Sequence, residues 1–202
     1  MKKMTPILLF FLLIFPALVY GGGPKDTIEG AVGQIMEILK DPQYREAALK
    51  GGQRERIWEI IQRIFDFEEM AKRSLGANRK KFTPPQLKEF SRLFGELIGT
   101  DYLRKIQKGF TNEKVAFLNQ EMLSDSKAVV HTKIHRATDD VTVDYSMIKT
   151  ADAWKAYNVK IMGISMVRNW QKQFNSSLRR GTPDKLIGQL KKKIAQQRAK
   201  ES

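Results

Sequence analysis

The spacing of apolar residues changes along the chain, and this change limits the possible fold more than any other feature of the sequence. Between 83 and 109 and after 163, apolar residues recur every three or four positions, which is typical of a helix with one buried face. Between 141 and 147 they alternate strictly with polar residues, which is typical of a half-buried strand. The chain therefore contains helices, then strands, then helices.

Four strands are predicted, over residues 115–123, 129–136, 141–147 and 154–162. Because short polar segments such as Thr138-Asp139-Asp140 join them, we expect an antiparallel meander. Helices are predicted from Asp26 or Thr27, over 54–64, from Asp66 to Gly76, over 83–109, and in two segments after Gly163. The fold class is therefore α+β, with helices packed on a four-stranded antiparallel sheet.

The first 21 residues are predicted to be a cleavable signal peptide. Lys2 and Lys3 precede an apolar run from Ile7 to Tyr20, and Gly21 suits the position before a cleavage site. A membrane anchor is the alternative, but the run is shorter than the ~20 residues that a spanning helix needs. We therefore expect residues 22–202 to form a single soluble domain in the periplasm, held by its core because the chain has no cysteine.

The chain is basic, with 36 Lys and Arg residues against 22 Asp and Glu residues. Such a balance favours anionic partners, which are nucleic acids, anionic membrane surfaces or acidic protein faces. An exported protein seldom meets nucleic acid. Phospholipid headgroups and acidic docking sites are therefore the expected targets.

The sequence does not predict a catalytic or metal site. His131 and His135 lie on one predicted strand, where four residues separate them by about 13 Å, too far to bind one ion. Paired carboxylates at Glu68-Glu69 and Asp139-Asp140 are explained by a helix cap and a turn. There is no glycine-rich loop between a strand and a helix, and we expect no cofactor and no enzymatic activity.

The remaining feature is apolar surface on both sides of the joint at Gly163. If the helix folds back over the sheet without touching it fully, the gap is an apolar pocket. Ordinary core packing is the alternative explanation for any single residue of this set. The predicted lining consists of Leu97, Tyr102, Ile106, Val141, Val143, Tyr145, Met147, Tyr157, Val159, Ile161, Ile164, Met166, Val167, Trp170 and Phe174.

The same region resembles a known family. The segments V-D-Y-S-M-I-K, W-K-A-Y-N-V-K-I-M-G-I-S-M-V-R-N-W-Q-K-Q-F and G-T-P-D-K-L-I-G-Q-L resemble the periplasmic phospholipid-binding MlaC family, also called the toluene-tolerance family. The upstream segments F-D-F-E-E-M-A-K-R-S-L-G and F-S-R-L-F-G-E-L-I-G-T-D-Y-L-R-K-I are similar to helices of that family. Where the family often has Arg, Asp and an acidic residue, this chain has Ser146, Asn158 and Met162, so polar contacts at the pocket mouth or a docking face differ.

The resemblance implies a monomeric carrier with phospholipid as its cargo. Members of the family move lipid between an outer-membrane lipoprotein complex and the substrate-binding subunit of an inner-membrane ABC transporter, which maintains outer-membrane lipid asymmetry. Some relatives are associated with hopanoid metabolism, which is an alternative cargo. Two further hypotheses remain: an exported enzyme of a cone-shaped α+β fold that uses Asp144 and a histidine, and a lipid-free adaptor that docks through its basic surface.

Overall fold

A computed structural model describes residues 22–151 and 153–199. The predicted signal peptide at 1–21 lies outside the described residues. The helices are α1 (Pro24–Lys40), α2 (Lys50–Ile64), α3 (Phe67–Leu75), α4 (Pro84–Gly109), α5 (Met166–Arg179) and α6 (Pro183–Arg198), with short 3-10 helices at Pro42–Arg45, Ala47–Leu49 and Gly76–Lys81. The strands are β1 (Lys114–Ser124), β2 (Lys127–His135), β3 (Asp140–Lys149), β4 (Trp154–Ile161) and β5 (Ile164–Ser165). Within the described ranges, no helix is long and apolar enough to cross a membrane.

The strands form one antiparallel sheet in the order β1-β2-β3-β4-β5, which confirms the α+β class and the meander. The predicted number of four strands is wrong, because Gly163 does not lead directly into a helix. Met162 and Gly163 have φ values of 49° and 76°. Positive φ at both central residues makes the two-residue turn of a tight hairpin, so Ile164 pairs back onto Ile161 before α5 begins.

A β-bulge in β4 breaks the alternation of its side chains. Ser146 pairs with Asn158 and Met147 pairs with Ala156, so Tyr157 is an extra residue without a partner in β3. Residues directly opposite each other in an antiparallel pair share a face. Val159 and Ala156 therefore lie on the same face of the sheet, and Tyr157 is displaced from it.

Side-chain caps fix where the helices begin. Thr83 and Gln86 form the predicted capping box of α4, with Pro84 in the first turn. Asp66 caps α3 by accepting a hydrogen bond from the Glu69 amide at 2.9 Å. The Asp66 amide in turn donates to the Ala156 carbonyl at 2.9 Å. This bond joins the start of α3 to β4 and fixes the distance between the helices and the sheet.

The core divides into three clusters, two of which lie against the covered face of the sheet. The largest joins α3, α4, α5 and α6 to the sheet and contains the packed rings of Phe90, Phe94, Trp170 and Phe174, with centroids 5.2–5.8 Å apart. A second lies between α1, α2 and α4, and a third between α1 and strands β2 to β4. The clusters leave a gap between them.

Candidate functional site

An apolar cavity of about 410 Å³ occupies this gap. The volume is within the range of ~300–1,000 Å³ that is usual for small-molecule sites. Helices α1, α2 and α4 form one wall, and strands β1 to β4 form the other. The lining residues are Val32, Ile35, Met36, Leu39, Ile61, Ile64, Phe65, Phe67, Met70, Ile98, Gly99, Tyr102, Lys105, Ile106, Gly109, Phe110, Glu113, Val115, Ile134, Arg136, Val141, Val143, Tyr145, Val159, Ile161 and Met166.

Part of the predicted lining is brought together here. The residues from the predicted set that face the cavity are Tyr102, Ile106, Val141, Val143, Tyr145, Val159, Ile161 and Met166. They come from the C-terminal half of α4, alternate positions of β3, the part of β4 after the bulge, and the first residue of α5.

The other predicted residues lie elsewhere. Leu97, Trp170 and Phe174 are packed inside the largest core cluster, and Met147 lies in the cluster against α1. The bulge turns Tyr157 away from the cavity, and Val167 lines a separate surface cleft together with it. Ile164 is 68% exposed. Because β5 intervenes before α5, that helix reaches the cavity only through Met166.

Sequence reasoning missed the contribution of the first two helices. Val32, Ile35, Met36 and Leu39 of α1 line the cavity together with Ile61 and Ile64 of α2. Their helical spacing is visible in the sequence. The spacing shows that a face is buried, but the layer against which it packs depends on contacts far away in the chain.

The charged side chains of the lining, Lys105, Glu113 and Arg136, lie at one end of the cavity, where α4 ends and β1 begins. Lys105 donates to the Asp101 carboxylate at 2.9 Å and lies 4.9 Å from the ring centroid of Tyr102. Glu113 accepts hydrogen bonds from the amide and the hydroxyl of Thr111, at 2.8 and 2.9 Å. The guanidinium of Arg136 forms no ion pair with a described residue.

The pKa values reflect this environment. Burial raises the pKa of Glu113, but the hydrogen bonds from Thr111 and the charge of Arg136 outweigh it, and the net pKa lies below its ordinary value. Deeper inside, burial raises the pKa of Tyr145 to about 12, partly opposed by a hydrogen bond with Thr132. The interior therefore holds a neutral phenol, and the charges stay at one end.

The histidines lie on the opposite face of the sheet. His131 bonds Asp144 at 2.9 Å, and His135 bonds Asp140 at 2.8 Å. The neighbouring residue Val143 faces the cavity, so alternation places Asp144 on the other side. The hypothesis of an enzyme that uses Asp144 and a histidine in an apolar pocket therefore has no geometric basis. Among residues 22–151 and 153–199 no group of acidic or histidine side chains could hold a metal ion.

Fold and cavity together define a class: an α+β protein with an internal cavity suited to an apolar ligand and with charged groups at one end. Comparison with protein families then identifies the group. The family model described as MlaC protein matches residues 29–192, and the chain belongs to this family. The resemblance predicted from the sequence motifs is confirmed.

A solved structure has the same fold. It is a phospholipid-binding protein from Ralstonia solanacearum, determined in complex with a phospholipid. The two chains are 23% identical and superpose with a TM-score of 0.74 over 87% of this chain and 99% of that chain. Among curated proteins no match is found.

Proposed function

We propose that this protein is a soluble phospholipid carrier that holds acyl tails in the apolar cavity. The observation that supports the proposal most directly is the cavity itself, an unfilled apolar space inside an otherwise packed core. Membership of the MlaC family and the phospholipid bound by the Ralstonia solanacearum protein support the choice of ligand.

Transfer of a lipid through water requires such a container. Each methylene group exposed to water costs about 0.8 kcal/mol, so two long acyl chains cost on the order of 20 kcal/mol or more. A dry apolar cavity offsets this cost without chemistry. Met36, Met70 and Met166 line it, and their flexible thioether side chains adapt to tails of different shape.

The headgroup belongs at the charged end. An apolar interior cannot accommodate a phosphate without a large desolvation cost. Arg136 is the lining cation without an ion pair among the described residues, so it is the natural contact for the phosphate, while Lys105 is already bound to Asp101. A single weak clamp of this kind fits a carrier that must also release its cargo.

The cellular role extends the proposal. We infer that the carrier works in the periplasm and exchanges phospholipid with an outer-membrane lipoprotein complex and with the substrate-binding subunit of an inner-membrane ABC transporter, maintaining lipid asymmetry. The predicted signal peptide at 1–21, the family and the basic charge support this role.

The test is native mass spectrometry and lipid extraction of the purified protein, followed by uptake of labelled phospholipid from vesicles. We expect stoichiometric glycerophospholipid and transfer between vesicles. Recovery of the protein without lipid, together with no uptake, would contradict the proposal. Extraction of a hopanoid instead would keep the carrier and change its cargo.

A pair of variants on one strand links lipid retention to the cavity. Val143 is buried and faces the cavity, while the preceding residue, Thr142, is exposed on the other side of the sheet. Val143→Asp should eliminate co-purified phospholipid, because acyl tails packed against an unpaired carboxylate would remove its hydration at a large cost in free energy. Thr142→Asp should retain it. Equal lipid content in the two folded variants, measured by phosphate assay, would place the tails elsewhere. If Val143→Asp does not fold, Val143→Thr is used in its place.

A further inference from the structure

A second concave surface lies behind the wall of the apolar cavity. It has a volume of about 530 Å³ and is bounded by α3, the 3-10 helix Gly76–Lys81, β4 and the start of α5. We call it the basic cleft. It is lined by Glu69, Lys72, Arg73, Gly76, Ala77, Arg79, Lys80, Tyr157, Asn158, Ser165, Val167, Arg168 and Gln171. The elements α3, β4 and α5 border both spaces, because their residues Met70, Val159 and Met166 line the cavity.

The charges of the basic cleft are unbalanced. Its carboxylate, Glu69, is bound to Arg73 at 2.7 Å, and Glu68 beside it is bound to Lys72 at 2.6 Å. The other cations, Arg79, Lys80 and Arg168, are exposed and form no ion pair with a described residue. Three positive charges from two separate elements therefore face one open space, and none of them is paired with a described carboxylate.

The walls of the basic cleft are held in place by hydrogen bonds within the protein. Asn78 donates to the Asn175 side chain at 2.7 Å and joins the 3-10 helix to α5. The Asn158 side chain accepts from the Ser165 hydroxyl at 2.9 Å and from the Val167 amide at 3.1 Å, which joins β4 to α5. Because this frame is already formed, a partner does not have to order it on binding.

The surface chemistry distinguishes between classes of anionic partner. Single-stranded nucleic acid needs free aromatic faces for base stacking, but the ring of Tyr157 is covered by Arg73, whose guanidinium lies 4.1 Å from the ring centroid. A bilayer surface favours protruding apolar anchors. The exposed large apolar side chains of the described chain, among them Met162 and Ile164, all lie outside the basic cleft.

We propose that the basic cleft is a docking site for an acidic segment of a partner protein. Arginine forks and lysines match carboxylates that protrude from such a segment, and charge complementarity directs both the encounter and its orientation. This site goes beyond lipid carriage, because it is separate from the cavity and assigns the chemistry of a protein partner.

The test measures binding of a fluorescein-labelled octaglutamate peptide by anisotropy. The triple variant Arg79→Glu/Lys80→Glu/Arg168→Glu should weaken binding about tenfold or more, since it reverses the free charges of the site. The control is Lys88→Glu/Lys127→Glu/Lys192→Glu, which changes the net charge equally at exposed lysines outside the basic cleft. It should weaken binding by about threefold or less, the effect of overall charge alone.

Several outcomes overturn the proposal. Equal weakening by both triple variants would show diffuse attraction, and displacement of the peptide by equimolar inorganic phosphate would show a simple anion site. Binding of oligothymidine or phosphatidylglycerol vesicles through the basic cleft, without octaglutamate binding, would replace the protein partner by nucleic acid or membrane. Phospholipid content is assayed on every sample, so failure of docking is distinguished from failure of lipid carriage. The matching glutamine triple variant is used if the glutamate variant does not fold.

Discussion

At the residue scale, the pKa of Tyr145 indicates how well the cavity excludes water. It is half-buried because part of its ring faces the cavity, and burial raises its pKa from 10.0 to about 12. In this interval the unfolded chain loses the phenol proton and the folded chain keeps it. The free energy of unfolding therefore falls as the pH rises from 10 towards 12, by about 2 kcal/mol in total.

The variant Tyr145→Phe tests this linkage. It removes the phenol, so the decrease in the free energy of unfolding between pH 9 and pH 11 should be smaller than in the wild type. Urea unfolding of delipidated protein at several pH values measures the difference. Both proteins should show the same dependence between pH 6 and pH 8, where the phenol does not ionise. Parallel curves up to pH 11 would mean that water reaches the phenol.

At the element scale, features that depend on residues close together in the sequence were predicted correctly. Features that depend on contacts between distant parts of the chain were not. Alternation predicted β3, and Thr83 with Gln86 predicted the start of α4, because each signal lies within a few residues of its effect. The bulge at Tyr157 is defined by pairing with β3, and no residue in the sequence of β4 indicates it. The same limit applies to the site: the strand walls were predicted, whereas the places of α1 and α2 depend on the tertiary fold.

The packing of α2 against α4 requires a glycine at one position. A Cβ on Gly99 would overlap the ring of Trp58, whereas a Cβ on Gly33, an exposed position within α1, would meet no atom within 4 Å. Gly99→Ala should therefore destabilise the protein by ~1–3 kcal/mol through overpacking. Gly33→Ala should stabilise it by ~0.5–1 kcal/mol, since alanine loses less backbone entropy in a helix.

Chemical unfolding of the two alanine variants measures these opposite effects. Gly99 also lines the cavity, so its variant should bind less phospholipid in addition to being less stable. Stabilisation by both substitutions would show that Trp58 can move aside without cost, and that the contact between α2 and α4 does not set the width of the cavity.

At the scale of the whole molecule, the sheet is covered by two kinds of interior, a tightly packed core and an unfilled cavity. Val130 is fully buried in the cluster against α1, where its neighbours leave it no exposed surface. Val159 lines the cavity, where it has neighbours on one side and empty space on the other. A larger side chain is therefore forced against other atoms at Val130 and can occupy space at Val159.

Substitution by phenylalanine at both positions distinguishes a ligand cavity from a packed core. Val130→Phe should destabilise the protein by ~1–3 kcal/mol. Val159→Phe should leave the delipidated protein at least as stable as the wild type, because the ring fills empty apolar space, and it should reduce phospholipid uptake by taking volume from the tails. Thermal unfolding of delipidated protein and vesicle uptake measure the two effects. Equal destabilisation at both positions with unchanged uptake would mean that the region around Val159 closes into ordinary core when the ligand leaves, and that the cavity exists only around a ligand.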